Sequence, residues 1–166
     1  MSTIPSTYSR LQIILHWTIA ALVAFQIFFH GGIEDLWKDR MTGVTPNEGS
    51  LNAHAFVGLL IFAAALWRVW LRWHRGAPEL PVIEHPLLKQ VARLTHGAFY
   101  ILLLGMPIVG ALAWFGGYSL PGQIHFAAAL ALILLILVHI AAALAHRFWF
   151  RTDVMRRMWT WRASVD

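Results

Sequence analysis

The chain has 166 residues, which suits one domain and leaves little room for two. Apolar residues make up 58% of it and charged residues 13%, about half the roughly 25% of a soluble globular protein. That excludes an ordinary water-facing enzyme domain and a disordered chain, and the absence of cysteine excludes disulfides, cysteine-held metal clusters and haem attached covalently through Cys-x-x-Cys-His.

A bilayer core of about 30 Å needs roughly 20 mostly apolar residues in a helix. The first window that qualifies runs from Leu11 to His30 and holds no Asp, Glu, Lys or Arg. It is longer than a usual signal-peptide core and lacks a small-residue cleavage site before His30, so it reads as a retained helix. Residues 31–50 follow as an acidic loop, with Lys38 and Arg40 against Glu34, Asp35, Asp39 and Glu48. The second window, Leu51 to Leu71, carries one charge, Arg68. A basic connector with Arg72, Arg75, Lys89 and Arg93, and a Pro-rich linker at 77–86, lead to the third window, Leu94 to Phe115. Pro107 inside that window is expected to kink the helix or free backbone groups, and Gly105, Gly110 and Ala113 offer surfaces for close contact. A short turn at 116–120 leads to the fourth window, Pro121 to His146, and then to a tail bearing Arg147, Arg151, Arg156, Arg157 and Arg162.

This order predicts an all-α integral membrane four-helix bundle, one domain over 1–166, with helices near 9–30, 50–73, 88–116 and 121–148. The basic segments place both termini and the middle connector in the cytoplasm and the acidic loop outside. Tryptophans at 37, 67, 70, 73, 114, 149 and 159 fall near helix ends, as an aromatic belt requires.

The nine histidines carry the functional argument. A histidine inside a span is costly and points to function. By depth, His16 and His139 share the inner level, and His54 and His125 share the outer one. His125 and His139 are fourteen residues apart, close to four full turns and about 21 Å of rise, so both rings face one way at two heights. Two b haems stacked across a membrane, each held by an imidazole on either side of its iron, need this arrangement. A mononuclear zinc or copper site wants three or four ligands at one level, which only the inner level approaches, by adding His96. A proton relay through the histidines is a further class, and it predicts no visible absorption. His96, with Tyr100 one turn on, is an alternative inner ligand, a quinone or propionate contact, or a packing residue. Arg68 stands fourteen residues after His54 and either pairs a haem propionate or snorkels to the surface. His30 and His146 lie at span ends, and His146 is expected to make a surface contact or pair a carboxylate.

The segments LQIILHW around His16, LNAHAFVG around His54, LTHGAFYILLLGMPIVGALAW, HFAAALALILLILVHIAAALAHRFW and the trailing DVMRRM resemble the prokaryotic cytochrome b561 family of small di-haem membrane cytochromes. The resemblance covers essentially the whole chain. It implies iron ligation by His16 with His139 and by His54 with His125, the pairing that depth also gives. It further implies two haem b, ubiquinone as substrate, and a superoxide:ubiquinone oxidoreductase-like activity in a bacterial inner membrane. Superoxide would be drawn by positive charge, yet the outer loop offers only Lys38 and Arg40 unless folding clusters them. The same plan also resembles cytochrome b subunits that anchor a periplasmic dehydrogenase or hydrogenase and pass its electrons to quinone; the shortness of the chain favours a stand-alone cytochrome. The expected partners are superoxide, ubiquinone, the lipid bilayer, and either a second copy of the chain or a periplasmic redox protein, with no nucleic acid.

Overall fold

The computed structural model describes residues 7–44, 49–78 and 86–160. Within them the chain forms five α-helices and one short 3-10 turn, and no strand among the described residues. Helix α1 spans Arg10–Phe28. It starts at Ser9, whose Oγ accepts the Gln12 amide while the Gln12 side chain accepts the Ser9 amide at 2.9 Å. Helix α3 spans Gly49–Arg75 and stops at Gly76, whose left-handed φ of 74° suits a residue without Cβ. Helix α4 spans Pro86–Gly116, with proline in the first turn, where its missing N–H costs nothing. Helix α5 spans Ser119–Phe148. Only Gly117 and Tyr118 join α4 to α5, so these two helices are antiparallel neighbours. The four long helices are apolar enough to cross a bilayer, and large apolar side chains such as Ile101, Phe115, Leu134 and Trp149 point outward. Such an outer surface is stable in lipid and not in water.

The 31–50 segment differs from the expected loop. It contains helix α2, Gly31–Thr42, closed by Gly43 in the left-handed region. Its apolar side is formed by Ile33, Leu36 and Trp37, and Leu36 is buried. The Trp37 ring lies against the start of α5, where a Cβ on Gly122 would come within 2.6 Å of it. Gly122→Ala is therefore expected to destabilise the protein. The propensity gain of up to about 1 kcal/mol is smaller than the roughly 1–3 kcal/mol cost of forcing an indole aside. A lower Tm in detergent and faster tryptic cleavage at Lys38 would register the loss; unchanged values would show that α2 does not rest on α5.

Helix α1 packs along α3, α4 along α5, α3 against α4, and α2 against α3. The pairs α1 with α5 and α3 with α5 are not among the closely packed ones. The buried core lies halfway along the bundle, where Ile19 and Val23 of α1 meet Ile61 and Ala65 of α3, Leu103 of α4 and Leu132 of α5. These positions repeat at seven residues with the polar ones: His54, Ile61 and Arg68; His96, Leu103 and Gly110; His125, Leu132 and His139. A seven-residue repeat keeps one stripe facing inward along a left-handed bundle. The core thus separates two polar levels.

Candidate functional site

At the inner level His16 of α1 faces His139 of α5, with ring centroids 6.3 Å apart. At the outer level His54 of α3 faces His125 of α5, with centroids 6.1 Å apart. An imidazole nitrogen sits about 2 Å from a metal it ligates, so two rings holding one ion from opposite sides have centroids roughly 6 Å apart. Both pairs have that separation. Each also joins two helices that are not among the closely packed pairs.

The outer pair shows how its rings are aimed. His125 Nδ1–H donates to the Met106 carbonyl at 2.9 Å, which fixes the tautomer and leaves Nε2 as the free lone pair. That approach exists because Gly110 has no side chain: a Cβ there would stand 3.0 Å from His125 Nδ1 and 3.1 Å from Cε1. A Cβ on Gly105 would meet nothing within 4 Å, so of the three small residues expected to make close contact, Gly110 is tightly approached and Ala113 is buried, while Gly105 stands open. Facing it, His54 Nδ1 is buried with no hydrogen-bond partner among the described residues. The His54 carbonyl accepts from Gln26 Nε2 at 2.9 Å, which ties α3 to α1 at this height. Gly110→Ala should push the His125 ring off its carbonyl and weaken metal retention at the outer level about tenfold, as loss of an orienting partner does. Outer-level occupancy after detergent dialysis is the measurement, and an unchanged value would separate Gly110 from ligand aim.

The inner level holds a third imidazole. His96 of α4 lies 5.7 Å from His139, and its Nδ1–H donates to the Ala92 carbonyl at 2.6 Å. Phe99 also packs on His139, with centroids 5.4 Å apart. Helices α4 and α5 pack closely, unlike α1 and α5. Among the described residues no group of three or more His, Cys, Asp or Glu is arranged to hold a bare metal ion. Arg68 turns inward: its guanidinium donates to the Gln12 carbonyl at 2.6 Å and lies within electrostatic reach of His16, His96 and His139. Gln12 is itself buried and donates through Nε2 to the Gly76 carbonyl at 3.1 Å. Arg68 is thus anchored between α1 and α3, near the inner imidazoles.

The peripheral histidines are elsewhere. His30 caps α2 and stands 3.4 Å from Glu34. His74 donates to the Trp70 carbonyl on the exposed side of α3. His146 Nδ1 lies 3.1 Å from the Thr152 hydroxyl, a side-chain contact near the surface. His85 falls outside the described residues. The outer cations do not cluster: Lys38 pairs with exposed Asp35 at 3.5 Å, whereas Arg40 turns over the Trp114 ring, 5.0 Å from its centroid.

Two facing imidazole pairs at two depths suit haem held by two histidines and need no cysteine. The profile of the prokaryotic cytochrome b561 family matches residues 7–161. The chain belongs to that family. It is 35% identical to a cytochrome b562 of Cereibacter sphaeroides, over 91% of this chain and 94% of the relative. It is 25% identical to a cytochrome b561 homolog 2 of Escherichia coli K12, over 93% of this chain and 92% of the relative. Membership in the cytochrome b561 family makes it a haem-b-binding, multi-pass membrane protein of transmembrane electron transfer.

Proposed function

We propose that the chain passes electrons between two haem b groups, from superoxide at the outer level to ubiquinone at the inner level. The observation that carries the reading is the pair of imidazole pairs, 6.3 and 6.1 Å between centroids, at two depths of one bundle. His16 and His139 would hold the inner haem, and His54 and His125 the outer one. Haem supplies reversible one-electron chemistry when bound, tuned by axial ligands and burial. The chain's own part is to aim and shield. Met106 fixes the His125 tautomer, Gln26 braces the backbone at His54, and the apolar mid-core keeps water from between the levels. Arg68 keeps further N–H donors for a propionate carboxylate at the inner level, and His96 and, one turn on, Tyr100 would serve as quinone contacts.

The outer donor is read as anionic because Arg40 is turned inward. Its Nε is buried without a hydrogen-bond partner among the described residues, one helical turn beyond the Gly110–His125 contact. Two superoxide anions would each give up one electron and leave as dioxygen, while one ubiquinone takes two electrons and two protons. The basic ends of α3 and α5 and the start of α1 support a cytoplasmic inner level in a bacterial inner membrane.

The test is a reduced-minus-oxidised visible spectrum with haem quantified per chain, followed by ubiquinone reduction under a superoxide flux. Two low-spin b haems per chain, and ubiquinol formation abolished by superoxide dismutase, are expected. No visible absorption in folded protein overturns the reading. Two haems without superoxide-driven reduction overturn the donor and move the chain to the class that anchors a periplasmic enzyme.

A further inference from the structure

We propose that the pocket at the C-terminal end of α5 binds the phosphate of an anionic phospholipid headgroup. A cavity of about 480 Å³ opens there, lined by Arg147, Arg151, Thr152, Asp153, Met155, Arg156 and Trp159. Asp153 is already engaged, 3.1 Å from Arg157 on its own turn. Among the described residues, no carboxylate lies within ion-pair distance of Arg147, Arg151 or Arg156. Three guanidinium groups line the cavity against one lining carboxylate, Asp153, whose charge is shared with Arg157, and together they form a binding place for a phosphate oxyanion.

The site is built rather than left to a loose tail. After α5 the chain reverses: the Phe150 amide donates to the Ala145 carbonyl and the Thr152 amide to the His146 carbonyl at 2.9 Å. Arg151 holds a φ of 52°, unusual for a residue with a Cβ, at the apex of that reversal. The 3-10 turn Arg156–Met158 then clasps back onto α1. Trp17 Nε1–H donates to the Met158 carbonyl at 2.9 Å, and the Trp17 and Trp159 rings lie 4.6 Å apart. This clasp fixes the far wall of the cavity.

Depth selects a lipid over a soluble anion. The cavity begins at Arg147, where the apolar run of α5 ends, and exposed Phe148, Trp149 and Phe150 surround that level. Aromatic side chains of this kind sit at the headgroup boundary, with acyl chains on one side and phosphate on the other. A basic pocket at that boundary recognises an anionic headgroup. The proposal is independent of the haem reading.

The experiment titrates detergent-purified full-length protein with dioctanoyl phosphatidylglycerol, and in parallel with dioctanoyl phosphatidylcholine and inorganic phosphate, counting bound molecules by native mass spectrometry. One phosphatidylglycerol should bind saturably. Arg156→Gln should weaken it about fivefold, and the triple change at Arg147, Arg151 and Arg156 to Gln about a hundredfold. The same three positions changed to Lys should retain most of the binding. If the triple Gln variant fails to fold, the single Gln variants and the Lys variant decide. Equal binding of phosphatidylcholine, or binding unchanged by the Gln variants, overturns the proposal. Inorganic phosphate binding as tightly as the lipid also overturns it, because the site would then serve a soluble anion.

Discussion

Replacing His139 with alanine is expected to lower haem content from two groups per chain to one, with the surviving signal that of the outer level. His139 is the hub of the inner level, facing His16 at 6.3 Å and His96 at 5.7 Å, so every arrangement of an inner haem passes through it. The partner is decided by two further variants. His16→Ala should give the same one-haem spectrum, because His16 is the imidazole that faces His139 from α1, a helix not closely packed on α5. His96→Ala should keep both haems, because His96 stands on α4, which packs closely along α5, whereas His16 faces His139 from α1. Quantified haem per chain and the low-temperature α-band of each variant are the readouts. Two haems in His16→Ala with one in His96→Ala would reverse the assignment and make α4 the ligand-bearing helix. Full haem content in His139→Ala would remove the inner site from this level altogether.

The spans could be read from sequence because lipid imposes the same demand at every depth: about 20 residues without exposed charge. The histidine levels could be read because a helix converts residue number into height and angle, and fourteen residues return His139 to nearly the face of His125. Helix α2 was hidden because it is short and its acids and bases gave it the composition of a loop. The Ile33, Leu36, Trp37 spacing was the signal that could have found it. Arg68 had two readings that composition cannot separate. Only the rotation of α3 against α1, which carries the guanidinium to the Gln12 carbonyl, turns it inward. The same holds for the outer cations. Lys38 and Arg40 are two residues apart, and a helix sends them to different sides, one toward Asp35 and one over Trp114. The Gly110–His125 contact was likewise out of reach, because it depends on how deeply α4 and α5 interlock.

The direction of electron flow is tested most sharply at the outer level. His125→Ala should remove the outer haem and bring superoxide-driven ubiquinone reduction down to the uncatalysed background. The inner haem should still be reduced by an added short-chain ubiquinol, because its ligands His16 and His139 and its neighbour Arg68 are untouched. The asymmetry follows from the fold. The two levels are about 21 Å apart along α5 and are separated by Ile19, Ile61, Leu103 and Leu132, so an electron entering outside reaches the inner site by way of the outer haem. Arg40→Gln offers a graded form of the same test. It leaves both haems in place and removes the one inward-facing outer cation, so the rate with superoxide should fall and lose its dependence on ionic strength. Reduction by the short-chain ubiquinol should not change. If His125→Ala keeps superoxide-driven activity, the electron enters at the inner level. If Arg40→Gln slows the quinol reaction as much as the superoxide reaction, Arg40 supports the bundle and does not guide an anion.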